Sequence, residues 1–189
     1  MLLRFRFSNF RSFRDEAELS LVATGLDDSP NATFEVPGLK ERALPAAAIY
    51  GANASGKTNV IRALEFMREA VLHSHRNWSP MGTIPRTPFI LGTGAVLPSR
   101  FETDFVISGV RYQYGFVLDS ESVTEEWLLA YPSGKKQTWF KRMRGLPMYF
   151  GTKLAGEKKA IEALTRQNSL FLSVAAQNNL TALWSGPQN

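Results

Sequence analysis

An α/β domain is predicted by three features of this 189-residue sequence. A short uncharged apolar run, Ala46-Ala47-Ala48-Ile49-Tyr50, feeds a glycine-rich loop and then a helical pattern. A hairpin pattern precedes that unit, and a long period-two alternation follows it. The length suits one domain with a real core, and 44% hydrophobic with 21% charged residues is the composition of an ordinary globular chain.

The N-terminal hairpin rests on two alternations. Leu3, Phe5 and Phe7 alternate with Arg4 and Arg6, and Ala17, Leu19 and Leu21 alternate with Glu18 and Ser20 across the polar stretch SNFRSFRDE. TGLDDSPNATFEVPG, residues 24–38, has the Gly, Pro, Asp and Asn of a loop. The run 46–50, bounded by Pro45 and Gly51, reads as a strand buried on both faces.

Gly51-Ala52-Asn53-Ala54-Ser55-Gly56-Lys57-Thr58 fits G-x-x-x-x-G-K-[ST] at every constrained position. Behind it Val60, Ile61, Leu64, Met67 and Val71 recur at helical steps, with Arg62, Glu65, Arg68 and Glu69 on the other side, which predicts a helix over 57–72. A strand, a glycine loop and a helix in this order place backbone N–H groups at a helix N-terminus, where the macrodipole and the unpaired donors both favour phosphate. Gly51 and Gly56 let the backbone turn and approach a phosphate. Lys57 would reach the β- and γ-phosphates of ATP, and the Thr58 hydroxyl would ligate Mg²⁺. The plain alternative is a glycine turn that opens an ordinary helix.

From Pro98 to Arg142 the chain alternates in period two, with turn signals at Ser108-Gly109, Asp119-Ser120 and Pro132-Ser133-Gly134. That pattern is an antiparallel meander of three to four strands. The expected organisation is therefore a single lobe, with a core and hairpin over 1–99, a meander over 100–150, and a helix, short strand and tail over 151–189.

FSNFRSF, residues 7–13, followed by YGANASGKTNVIRAL, residues 50–64, resembles the N-terminal half of ABC-type ATPase heads: RecF, SMC proteins and the OLD-like AAA ATP-binding proteins. Asn53 and Asn59 favour that group over a generic phosphate loop. The resemblance implies a P-loop NTPase head lobe with an antiparallel β-subdomain, in which Gly51, Asn53, Ala54, Ser55, Gly56, Lys57, Thr58 and Asn59 hold the nucleotide. It also implies contacts from Asn9, Arg11 and Ser12, and from Gln177 at the end of a strand in SLFLSVAAQNN, residues 169–179. Arg11 reads equally as a solvated loop arginine, and Gln177 as a polar residue closing an apolar run.

Hydrolysis also needs an aspartate for Mg²⁺ and a residue that orients water. FVLDSE, residues 116–121, imitates an acid-ended strand, but its alternation and following turn put Asp119 and Glu121 in the meander. LWSGPQN, residues 183–189, resembles the family signature Ser-Gly-Gly-x-Gln only in part, because Pro187 breaks the comparison. The sequence thus reads as an incomplete ATPase, whose expected partner is a second head, either a homodimer mate or a complementing C-terminal half. The other readings are a non-catalytic nucleotide or nucleic-acid binding module and a small P-loop kinase.

The formal net charge of +5 suits a polyanion. Between Lys135 and Lys159 many cations, with Trp139, Phe140, Tyr149 and Phe150 among them, fit DNA or another nucleic acid, or equally a half-buried strand with a solvated face. No run approaches the length of about 20 apolar residues for a membrane span, and the arginines of MLLRFRFSNF interrupt any signal-peptide core, so a cytoplasmic protein is expected. The absence of cysteine removes disulfides and thiolate metal sites.

Overall fold

The alternating N-terminal residues become strand β1, Leu2–Ser8, paired with β2, Ala17–Ser20. The computed structural model describes residues 1–24, 33–36, 40–154 and 156–178. Most of the loop predicted over 24–38, and all of LWSGPQN, lie outside these. The helix α1 runs from Lys57 to Asn77. The meander is β3, Ser99–Ile107, β4, Val110–Leu118, β5, Val123–Tyr131, and β6, Gln137–Met143, with a two-residue β7 at Tyr149–Phe150. Two short helices follow, α2 at Lys158–Leu164 and α3 at Phe171–Gln177.

All seven strands form one antiparallel sheet in the order β2-β1-β3-β4-β5-β6-β7. Hairpin and meander are therefore one unit, joined where Phe7 stands opposite Phe101 and Arg6 opposite Glu102. The period-two pattern decides the faces. Phe5, Phe7, Phe101, Phe116 and Phe140 point to one side and are almost wholly buried. On the other side Arg6 donates to Glu18 and Glu102, each at 2.6 Å, and Arg4 stands 3.7 Å from Asp104.

Helix α1 covers the aromatic face with Ala63, Met67, Ala70 and Ser74, a stripe at four- and three-residue steps. The predicted stripe needs correcting. Met67 is central, but Val60, Leu64 and Val71 only flank the contact and Ile61 is 47% exposed. Small side chains let the helix approach a sheet already filled with phenylalanine, so the larger aliphatic residues are displaced to the rim.

Two further expectations are corrected. The strand predicted at Ala46–Tyr50 pairs with none of the described strands, and its side chains are exposed, Tyr50 at 90%. Ala43 still bridges Val22 and Phe34, and the chain then leaves the sheet. An apolar run becomes a doubly buried strand only when strands flank it on both sides. The strand predicted in residues 169–179 is instead helix α3. Leu170, Phe171, Val174 and Ala175 are buried at helical spacing, and the carboxylate of Glu126 accepts the N–H groups of Phe171 and Leu172.

Candidate functional site

The glycine loop lies open to solvent, with residues 51–55 exposed ahead of α1. Ala54 has φ 64° and Gly56 φ 94°, so the backbone turns twice through the left-handed region before the helix begins. Gly56 cannot be replaced cheaply. Besides its φ, an added Cβ would stand 3.0 Å from Ser12 Oγ and 3.3 Å from the Phe13 ring.

Ser55 N–H bonds Ala52 O at 3.3 Å and Asn59 N–H bonds Gly56 O at 2.8 Å. The N–H groups of Asn53, Ala54, Gly56, Lys57 and Thr58 find no acceptor among the described residues, and the first turn of α1 holds no acid to neutralise the dipole. Lys57 Nζ donates to Gly51 O at 2.8 Å and to Ala52 O at 2.7 Å. That grip fixes the ammonium over the loop and leaves one of its three N–H groups without an acceptor among the described residues. Thr58 is exposed on the first turn. Unsatisfied amides, a fixed cation and an uncrowded glycine backbone fit a polyphosphate, and the Thr58 hydroxyl fits one position of a Mg²⁺ shell. Among the described residues no group of three or more His, Cys, Asp or Glu gathers as a metal site.

The early element reaches this loop. Asn59 Nδ2 donates to Ser12 Oγ at 2.9 Å, and Phe10 and Phe13 bridge to close a tight turn. Arg11 has φ 52°, gives its backbone N–H to Thr87 O at 2.8 Å, and keeps Nε buried without an acceptor among the described residues. Asn9 is spent on its own chain. Its Nδ2 reaches Gly94 O at 2.9 Å and Leu97 O at 2.7 Å, and its Oδ1 accepts the Phe89 N–H at 3.0 Å. The segment 86–98, which holds both Asn9 and Arg11, carried no signal in the sequence beyond the turn-prone Pro88, Gly92, Gly94 and Pro98.

Gln177 is not brought to the loop. It ends α3, which meets the far end of α1, where Ser74 Oγ accepts the Leu170 N–H at 3.1 Å and Ser173 Oγ accepts the His75 N–H at 3.2 Å. At about 1.5 Å per residue, a four-residue advance from Ser173 covers only a small part of the length of α1. Asp119 sits in the β4–β5 turn, its Oδ1 accepting the N–H groups of Glu121 and Ser122, each at 2.8 Å.

The basic stretch divides. Trp139 and Phe140 are core residues, and Arg142 is buried, donating to the carbonyls of Ser169, Arg166 and Gln167. Lys135, Lys136, Lys141 and Tyr149 remain exposed.

A family described as "AAA domain, putative AbiEii toxin, Type IV TA system" matches residues 46–152, more than half of the chain. The chain belongs to this AAA family. The glycine loop and α1 both lie inside the matched span of this P-loop ATPase-type domain. No curated protein matches the chain. AAA domains of this type bind ATP and Mg²⁺, which agrees with the donor set around Lys57 and Thr58. No helix among the described residues is long and apolar enough to cross a membrane.

Proposed function

We propose that this chain is the ATP- and Mg²⁺-binding lobe of an ABC-type ATPase of the OLD-like or RecF-like group, working in DNA maintenance or phage defence, and that hydrolysis requires a second head or a complementing segment. The observation that carries the reading is the glycine loop, with its free amides and its ammonium held by Gly51 O and Ala52 O. The setting is supported by the FRSF element and by the family's description, which names a Type IV TA system. Incompleteness is supported by the exposed Ala46–Tyr50 run, which lies next to the loop without a strand partner among the described residues. Asp119 and Glu121, the acids nearest in pattern to a catalytic strand, serve a hairpin turn.

The P-loop segments contribute binding and orientation. The Thr58 hydroxyl would hold Mg²⁺, which would supply positive charge against the phosphates, while the loop amides and Lys57 hold the polyphosphate. A nucleic-acid partner is supported by the exposed Lys135, Lys136 and Lys141.

Calorimetry with Mg-ATP tests the reading. Charge-assisted phosphate contacts contribute about 1.5 to 3 kcal/mol, so Lys57→Ala weakens binding roughly ten- to a hundredfold. Equal affinities for wild type and variant would sink it.

A further inference from the structure

The far end of α1, about 30 Å from the glycine loop at about 1.5 Å for each of its 21 residues, is held by one arginine. Arg166 Nη2 donates to the carbonyls of Ser74, His75 and Trp78 at 3.3, 2.9 and 3.1 Å, where a helix end leaves acceptors without partners. Two residues on, Asn168 is 4% exposed, and its Nδ2 donates to Ser79 O at 2.8 Å and to Gly82 O at 3.2 Å. Two carbonyl partners fix which end of that amide is nitrogen. One donor and one acceptor are left over. Arg166 Nε and Asn168 Oδ1 are both buried and find no partner among the described residues. Buried polar atoms in this state favour whatever supplies the missing bonds.

Arg166 and Asn168 line the same open cavity of about 520 Å³, within the roughly 300 to 1,000 Å³ of ligand sites. Pro80, Met81, Thr83 and Glu121 line it with them. Met81 is 98% exposed, an unbranched apolar side chain with nothing packed on it. Glu121 is exposed as well, and Arg144 from the neighbouring turn is taken by Asp119. Glu121 pairs with no cation among the described residues.

This chemistry selects an occupant. An orphan donor beside an orphan acceptor matches one residue of an extended chain, whose N–H and C=O point to the same side. A phosphate or carboxylate would satisfy Arg166 alone, set an acceptor against Asn168 Oδ1, and meet the charge of Glu121. We propose that the cavity beyond the C-terminus of α1 is a docking site for an extended, basic peptide segment of a partner protein, held through its backbone by Arg166 and Asn168 and through a Lys or Arg side chain by Glu121. The site is separate from the glycine loop and does not depend on the nucleotide reading.

The test selects a displayed library of random heptapeptides on the full chain and measures the recovered peptides, made synthetically, by calorimetry, with thermal denaturation as the check of folding. Peptides rich in Lys or Arg are expected. Thr83→Trp, which fills the cavity from an exposed position, should weaken them at least tenfold. Arg166→Lys keeps the cation on the α1 carbonyls but removes Nε, and should cost about three- to tenfold, as for one hydrogen bond. Glu121→Lys should weaken basic peptides and favour acidic ones. If Arg166→Lys does not fold, Thr83→Trp and Glu121→Lys carry the test. Recovery of no peptide, as for a cavity that holds water only, would overturn the proposal. So would acidic peptides that bind wild type, which would make Arg166 an anion site, or basic peptides indifferent to Thr83→Trp, which would place them elsewhere on the surface.

Discussion

The buried carboxylate of Glu126 accepts the backbone N–H of Phe171 at 2.7 Å and that of Leu172 at 3.0 Å, fastening the start of α3 to the centre of the sheet. Tyr114 Oη donates to the same carboxylate at 3.0 Å, and Arg142 stands 3.7 Å away. Burial lifts the Glu126 carboxyl above its usual range, against the pull of Arg142 and the two N–H donors, and it also pushes the Tyr114 hydroxyl up. Replacing Glu126 by Gln turns an acceptor-only group into one that presents N–H donors to donors. We expect a loss of about 3 to 5 kcal/mol in urea denaturation, the scale of breaking a buried pair. A change below about 1 kcal/mol would mean that α3 is held by its apolar contacts alone.

Asp119 gives the fold a pH dependence. Burial pushes its carboxyl up, but the N–H groups of Glu121 and Ser122 and the Arg144 side chain outweigh that and bring it below the usual carboxylate value. The folded value lies below the unfolded one, so the stabilisation is full above the ordinary carboxylate range near about 4 and is lost as pH falls through the folded value. Asp119→Ala should cost about 1 kcal/mol at neutral pH, and the gap to wild type should close in acid. A gap that stays constant down to strongly acid pH would remove the carboxylate from the account.

Turnover by this chain alone should be negligible. Binding phosphates stabilises ground and transition states alike, and acceleration needs groups placed for the charge that develops during transfer. Phosphate release by the purified chain should equal that of Lys57→Ala. Steady turnover near about one per second in wild type only would show a complete enzyme, and Asp119 would be the first residue to replace.

Nucleic-acid binding, if carried by the exposed lysines, follows salt. Neutralising Lys135, Lys136 and Lys141 should lower the slope of log K against log salt by roughly one to three. Arg142→Gln should lower stability and leave that slope unchanged, because Arg142 is committed to Glu126 and three carbonyls. Binding indifferent to salt and to all these changes would leave the lysines as a solvated face.

Legibility of the sequence followed the range of the forces involved. β1, β3, β4 and β5 were readable because alternation of Phe and Tyr with Arg, Asp and Gln encodes its own faces. The loop Gly51–Thr58 was readable because phosphate chemistry constrains residue type at fixed spacing. Ala46–Tyr50 was misread because composition specifies a wish for neighbours and not their presence. SLFLSVAAQNN was misread because a short apolar run fits both periods, and a carboxylate 45 residues away decided for the helix. The pairing of Asn59 with Ser12 had no local signal at all.

The place of β1 between β2 and β3 sets an order of assembly. β3 to β6 join through short reversals and can form as local hairpins, whereas Arg6 and Glu102 meet across 96 residues. Closing a segment of that length costs about 4 kcal/mol of chain entropy before any contact offsets it. During synthesis Phe5 and Phe7 emerge well before Phe101, the residue that stands opposite Phe7. The turn that carries Arg11 and Ser12 therefore reaches the glycine loop among the last events of folding, and a nucleotide that engages both would tell a finished molecule from one still missing its first strand.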